Sequence, residues 1–132
     1  MLISNQRPGS VCADLQASYR RQVRIDNNTG TAILLYGRMM ERFFQASDRY
    51  TPAGQPLRSR QEMNQFNEVV NNLANAPLGS QTYTQNRNQL LRMLGNNNDA
   101  SVLIDEWHRY ATMPEVVQSL QERNARRNQG RR

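Results

Sequence analysis

The chain has 132 residues, a net charge of +6 and a single cysteine, Cys12. This length predicts one domain that can bury a core without disulfides or metal, and one cysteine excludes an internal disulfide. The start of the sequence, MLISNQRPGS, has too short an apolar run for a signal peptide, and no segment contains the roughly 18 apolar residues of a membrane span. We therefore expect neither a cleaved leader nor membrane insertion.

Charge is distributed unevenly along the chain. All 17 basic side chains are arginine, and asparagine and glutamine together supply 28 residues. Residues 123–132, RNARRNQGRR, contain five arginines and no acid, whereas residues 1–122 contain 12 arginines and 11 acids. The guanidinium group is a planar fork that suits phosphate and carboxylate. The sequence thus predicts a nearly neutral helical domain, 1–122, followed by an arginine-rich tail, 123–132.

The first predicted helix begins at Ser10, a capping residue, and runs to about Arg24. Its apolar residues recur at four-residue steps. These residues are Val11, Leu15, Tyr19 and Val23. The segment 26–30, DNNTG, has the composition of a turn and is predicted to end this helix.

The most apolar segment of the chain is TAILLYGRMMERFFQASDRY, at 31–50, and it is predicted to form a central helix. Thr29 or Thr31 is expected to cap this helix. The central helix and the first helix are predicted to form an antiparallel hairpin. One face of this helix is expected to contain Ile33, Tyr36, Gly37, Met40, Phe43, Phe44 and Ser47. Leu34, Leu35 and Met39 lie off that face and are also apolar. We therefore expect the central helix to be buried on more than one side.

Residues 33–46, ILLYGRMMERFFQA, resemble the LMLYDGAxxFLxxA stretch of flagellar export chaperones. Those chaperones are helical bundles of about this length, so the resemblance implies a bundle that presents a groove between helices to a partner. The aspartate that follows the tyrosine in the chaperones is absent here, and the second half of the chain carries no further match. We do not assign the chain to that family.

A third helix is predicted after an exposed loop at 51–56, because Ser59 and Glu62 have the spacing of a capping box. Its apolar stripe consists of Met63, Phe66, Val69, Val70 and Leu73. The helix is expected to stop by Pro77. The core is predicted to combine the central and later helices through Phe43, Phe44, Val69, Leu73, Leu90, Leu94 and Trp107.

Three more helices are predicted in the remainder of the domain. The fourth occupies 80–94 and ends at Gly95, and the fifth occupies 100–111 with Asp99 as its cap. The fifth is expected to bury Leu103, Trp107 and Tyr110. The sixth starts at Pro114 and is expected to bury Met113, Val116, Val117 and Leu120. No segment alternates as a strand does, so we predict an all-α fold, a compact bundle of five to six helices with a flexible basic C-terminal tail.

The sequence offers little material for catalysis. His108 is the only histidine, Cys12 belongs to a different predicted helix, and no glycine-rich nucleophile turn, phosphate loop or dinucleotide motif is present. Asp105 shares a helix face with His108, but a metal site needs three or four ligands. We predict no enzyme activity, catalytic residue, cofactor or metal, with His108 in a surface or interhelical hydrogen bond and Trp107 and Tyr110 as core residues.

These features favour a non-enzymatic structural or assembly protein. By analogy alone, the composition suggests a small virion (capsid-associated) component, located in the virion or host-cell interior, whose domain contacts other proteins of a larger assembly. The residues expected to contact nucleic acid or acidic partner surfaces are Arg123, Arg126, Arg127, Arg131 and Arg132. The segment after about Ala125 is expected to be mobile in the isolated protein. The alternative is a cytoplasmic helical adaptor or secretion chaperone.

Overall fold

A computed structural model describes residues 10–46 and 59–129. Within these ranges the chain forms five α-helices and no strand, which confirms the predicted all-α bundle. The helices are α1 (Ser10–Gln45), α2 (Arg60–Asn75), α3 (Gln81–Met93), α4 (Asn98–Ala111) and α5 (Pro114–Gln129). None of them combines the length and apolarity that crossing a bilayer requires. The predicted loop at 51–56 and the end of the predicted central helix, 47–50, lie outside the described residues.

The first two predicted helices are one continuous helix, so the predicted turn at 26–30 and the antiparallel hairpin are wrong. α1 has 36 residues and passes through the turn-like segment without a break. The hydroxyl groups of Thr29 and Thr31 donate to the carbonyls of Ile25 and Asn27, at 2.7 and 2.9 Å, instead of capping a new helix.

Tertiary packing explains why this turn-like segment is helical. Thr29 is completely buried, because α1 packs against α4 and α5. Its hydroxyl group needs a buried partner, and the carbonyl four residues earlier in the helix supplies one. Gln22 donates to the carboxylate of Asp26 at 3.0 Å, which adds a side-chain pair at helical spacing. Turn propensity is a weak preference, and these contacts override it.

In the described part of the predicted central helix, residues 31–46, the buried side chains lie on one side of α1 and the opposite side is exposed, so the predicted burial on more than one side is also wrong. The buried side consists of Thr29, Ala32, Leu35, Met39 and Phe43. Ile33 and Leu34 are 44% and 55% exposed. Leu35 and Met39, which the sequence pattern places off the main face, are therefore its centre. Tyr36 borders this face and its hydroxyl group donates to the side-chain oxygen of Asn67 on α2.

The N-cap of α2 and the glycine after α3 follow the sequence prediction, and the structure adds an N-cap for α3. The hydroxyl oxygen of Ser59 accepts from the amide of Glu62 at 3.1 Å, and Ser80 caps α3 in the same way through the amide of Tyr83. At the other end of α3, Gly95 has a φ of +104°, as the predicted glycine after a helix requires. Hydrogen bonds from Gly95 and Asn96 to the carbonyls of α3 complete a Schellman motif.

The cap of α4 is Asn97, not Asp99 as predicted. The side-chain oxygen of Asn97 accepts from the amide of Ala100 at 2.9 Å, while Asp99 lies in the first turn, where its charge complements the helix dipole. The same oxygen accepts from Arg42 of α1 at 2.9 Å. Asn97 therefore caps α4 and also joins its start to the C-terminal end of α1.

Replacing Asn97 with alanine is expected to lower the free energy of unfolding by about 1–2 kcal/mol, since the substitution removes the cap and the bond from Arg42. Urea denaturation of the two proteins measures this difference. Asn98→Ala, at the first and exposed residue of α4, is the matched control and should change the value by less than about 0.5 kcal/mol. An equal effect of both substitutions would show that Asn97 is not the cap.

One core joins all five helices, and the predicted core residues belong to it. Phe43, Val69, Leu73, Leu90, Leu94 and Trp107 are each at most 5% exposed, and Phe44 packs half-buried against them. The ring of Phe43 stacks on that of Phe66 at a centroid distance of 4.9 Å. α4 buries Ile104 and His108, which the sequence analysis missed, more deeply than the predicted Leu103 and Tyr110.

Candidate functional site

α5 carries the described part of the arginine tail. Its first two turns pack into the bundle through Val116, which is fully buried, and Leu120, which is half-buried; the predicted inward residue Val117 is 38% exposed. Residues 121–128 are all exposed. The N-terminal half of α5 therefore anchors a helical segment, 121–128, in which every side chain is exposed.

Three of the five predicted contact arginines lie on this exposed half. Arg123, Arg126 and Arg127 are separated by three and four residues, so the helix places their side chains within one arc of its surface. Glu122 is the only acid on the helix beyond Glu115, and its backbone carbonyl accepts from Nε of Arg126 at 3.5 Å. These three arginines therefore form an exposed basic face on the helix. Their guanidinium groups can form charge-assisted hydrogen bonds with phosphate or carboxylate groups.

The other two predicted contact residues, Arg131 and Arg132, lie outside the described residues. The helical path to Gln129 was not predicted, because the spacing of the arginines among Asn and Gln gives no apolar face. The boundary between domain and tail at 122/123 falls inside α5, although the change from packed to exposed side chains does occur near it, at 120/121. Mobility of the tail in the isolated protein stays a prediction.

A second exposed feature is the N-terminal half of α1. Residues 11–24, which we call the projecting half of α1, are exposed on every side of the helix. This half therefore has no packing partner in the described part of the chain. It nevertheless carries large apolar side chains. Val11, Leu15, Tyr19 and Val23 are 49%, 65%, 71% and 37% exposed. The sequence analysis predicted these residues to face a neighbouring helix, and the structure leaves them open.

A groove of about 520 Å³ lies where α3 meets α4, and it contains the histidine that the sequence analysis considered. The groove is lined by Leu78, Tyr83, Arg87, Asp105, His108, Arg109 and Thr112. Arg87 binds both carboxylate oxygens of Asp105, with 2.9 Å for each contact, and donates to the hydroxyl of Ser101 at 2.6 Å. The sequence analysis missed this bidentate pair, since nothing in the sequence places Arg87 opposite Asp105.

His108 is buried and belongs to the packing of the bundle. Its ring and that of Tyr83 are T-shaped with centroids 5.2 Å apart, and the centroid of Trp107 lies 6.3 Å from it. Its Nε2 atom is buried and has no hydrogen-bond partner among the described residues. Desolvation lowers the pKa of His108, although the charge of Asp105 and a hydrogen bond to the backbone of Leu73 act in the opposite direction. Burial thus favours the neutral form of the ring.

The stability of the protein is expected to fall as the pH drops below 6.5, the ordinary pKa of histidine. Because the folded state lowers the pKa of His108, the unfolded state binds the proton more readily in that window, so acid favours unfolding. Denaturant unfolding of the wild type and of His108→Gln at pH 7.5, 6.5 and 5.5 measures this loss. A variant whose stability falls as steeply as that of the wild type would assign the effect to other groups.

Asp105 and His108 both line the groove. The carboxylate of Asp105, three residues before His108 on α4, is held by Arg87, so it does not orient the imidazole as in a catalytic triad. Among the described residues, no three His, Cys, Asp or Glu side chains come together as metal ligands. Cys12, on the projecting half of α1, is exposed.

Comparisons with protein-family models, with curated proteins and with solved structures found no match to this chain. The physical features of the described residues are therefore the basis for a functional proposal. Two of them are open surfaces, the arginine face of α5 and the projecting half of α1. The third, the groove at His108, has its main charged pair already satisfied internally.

Proposed function

We propose that this chain is a non-enzymatic assembly protein, and that it acts as a small virion (capsid-associated) component. In this role the helical domain contacts other proteins of the assembly. The arginines at its C-terminal end contact nucleic acid or an acidic partner surface. The observation that carries the proposal is the exposed half of α5, where Arg123, Arg126 and Arg127 share one side of the helix and residues 121–128 are all exposed.

The charge distribution supports a contact with anions at this end. The five arginines of residues 123–132 are accompanied by no acid, and the rest of the chain is close to neutral. A guanidinium group forms charge-assisted hydrogen bonds with phosphate and carboxylate oxygens. The two proposed contacts therefore involve different parts of the chain. The arginine-rich end would bind anions, and the nearly neutral helical domain would contact other proteins.

The projecting half of α1 supports the protein contacts. A solitary helix of about 14 residues is marginal in water, and helices in proteins gain most of their stability from packing of an apolar face. The exposed face of this half includes Leu15, at 65%, and Tyr19, at 71%. Burying them against another protein would stabilise the helix and remove apolar surface from water.

The test is sedimentation of the tagged full chain from its native source, with identification of whatever travels with it. An assembly protein should sediment with a large particle and should be released by high salt if the arginines hold it, because salt screens exposed charges. A one-to-one complex with a single soluble polypeptide would overturn the virion role and favour the alternative, a cytoplasmic helical adaptor or secretion chaperone. Migration as a free chain would contradict both roles.

A further inference from the structure

One continuous stripe of exposed residues runs along α1, on the side opposite to its buried face. We call it the α1 stripe, and it consists of Cys12, Leu15, Tyr19, Val23, Asp26, Gly30 and Leu34, all exposed. The steps between them are three, four and four residues, repeated twice. This spacing averages close to 3.6 residues per turn, so the stripe stays on one side of a nearly straight helix.

Size is distributed asymmetrically along the α1 stripe. Next to Val23, the large residues Leu15 and Tyr19 precede it and the smaller Asp26 and Gly30 follow it, while at the two ends small Cys12 precedes it and large Leu34 follows it. Gly30 lies in the middle of a helix, where glycine is less favourable than alanine, and a Cβ atom at this position would have open space around it. Packing among the described residues therefore does not require the glycine.

Among the described residues, nothing packs against the α1 stripe between Cys12 and Val23, because residues 11–24 are all exposed. This part of the stripe is therefore open to a partner.

We propose that the α1 stripe binds the α1 stripe of a second copy of this chain, with the two helices antiparallel and the two-fold axis at Val23. This inference rests on the proposed assembly role and names one of its protein contacts. The two bundles then lie on the outer sides of the helix pair, because the buried face of each α1 points away from its stripe.

The antiparallel arrangement matches large residues with small ones. Leu15 is eight residues before Val23 and Gly30 is seven after it, so the two lie at the same level on opposite copies. The side chain of Leu15 fills the space that the glycine leaves. Cys12 and Leu34, each eleven residues from Val23, form the outermost layer of the same pairing. A self-complementary surface of this kind is what a two-fold interface requires.

The charges also favour this arrangement. Tyr19, four residues before Val23, lies opposite Asp26, three after it, so the tyrosine hydroxyl of one copy can donate to the carboxylate of the other. Arg20 borders the α1 stripe at the same level as that carboxylate. Arg21 and Arg24 point away from the stripe by helical periodicity. A parallel pair would instead place Asp26 against Asp26 and leave two glycines facing each other.

The length of the α1 stripe is sufficient for a stable pair. From Cys12 to Leu34 it runs for about 33 Å, at 1.5 Å per residue. Two helices in contact over this length bury on the order of 1,200 Å² in total, the lower end of the range for specific interfaces. We expect a dissociation constant on the order of 1 μM, at the weak end of the range that interfaces of similar area span.

Sedimentation equilibrium of the full chain from about 1 to 200 μM tests the pairing. The wild type should approach twice the 15.3 kDa mass of one chain. Val23→Glu places two like charges at the two-fold axis and should raise the dissociation constant at least about 100-fold. The matched control is Ala17→Glu, which adds the same charge on the far side of the projecting half and should change it less than about threefold. Near-UV circular dichroism of buried Trp107 confirms that both variants are folded.

Disulfide formation under mild oxidation tests the orientation. In the antiparallel pair the two Cys12 residues are about 33 Å apart, so the wild type should not form a disulfide dimer. The variant Leu34→Cys should instead cross-link, with Cys12 of one copy bonded to the introduced thiol of the other. A disulfide between two Cys12 residues at low concentration would show a parallel pair and overturn the proposed geometry.

Two outcomes of the sedimentation experiment would overturn the pairing itself. One is a wild type that remains monomeric at 200 μM, and the other is a dimer that Val23→Glu leaves intact. A monomeric chain that still sediments with a large particle would leave the assembly role standing, so the failure of the pairing and the failure of the proposed function are distinguishable.

Discussion

Replacing Phe43 with alanine is expected to lower the free energy of unfolding by about 3–5 kcal/mol, a large part of the stability of a small domain. Phe43 is 3% exposed and its ring stacks on Phe66 with centroids 4.9 Å apart. The substitution therefore removes apolar surface and leaves a cavity at the junction of α1 and α2. Urea denaturation followed by circular dichroism measures the change.

Two further substitutions calibrate this result. Phe44→Ala should cost roughly half as much, because that ring is only half-buried at the edge of the core. Val102→Ala, at a position on α4 that is 56% exposed, should change the free energy of unfolding by less than about 0.5 kcal/mol. If Phe43→Ala and Phe44→Ala both leave unfolding unchanged, the central part of α1 does not pack as described.

Local sequence signals predict a helix end where a hydrogen bond or a backbone conformation within a few residues determines it. Ser59 and Ser80 each accept from an amide three residues later, and Gly95 has the positive φ that only glycine adopts without strain. These features depend on neighbouring residues alone. They can therefore be read from the sequence without knowledge of the fold.

The long α1 cannot be predicted in this way, because its continuity depends on contacts between distant residues. The segment DNNTG has turn composition, but Thr29 is buried by other helices and satisfies its hydroxyl within α1. A turn at this point implies an antiparallel hairpin, which gives the apolar residues of the first predicted helix an internal partner. Because the sequence analysis predicted this hairpin, it did not predict that the face of α1 with Tyr19 is exposed.

The candidate sites also combine features that the local sequence predicts with features that depend on tertiary packing. The arginines near the C-terminus are identifiable from composition, since five of ten residues are arginine, whereas their arrangement on a helix face is not. The pair between Arg87 and Asp105 joins residues 18 positions apart on two helices. Such a contact is determined by how α3 packs against α4, and no short motif signals it.

Deleting residues 123–132 is expected to remove most binding to polyanions and to leave the fold intact. The deletion takes away five arginines, and the described residues 121–128 bury no side chain. For duplex DNA, the logarithm of affinity falls with the logarithm of salt concentration at a slope of about 0.9 per neutralised phosphate, so five arginines account for a slope of at most roughly 4 to 5. Fluorescence anisotropy with labelled duplex DNA at 50 to 200 mM salt measures both quantities.

A triple substitution separates the helix face of α5 from charge in general. Changing Arg123, Arg126 and Arg127 to glutamine should reduce the salt slope by about 2 to 3, since each guanidinium neutralises at most one phosphate. The matched control changes the same number of charges on the domain. It converts the exposed residues Arg38, Arg60 and Arg92 to glutamine. If the control weakens binding as much as the α5 variant, net charge alone attracts the DNA. Unchanged affinity and salt dependence after deletion of the tail would remove the main physical support for the virion role.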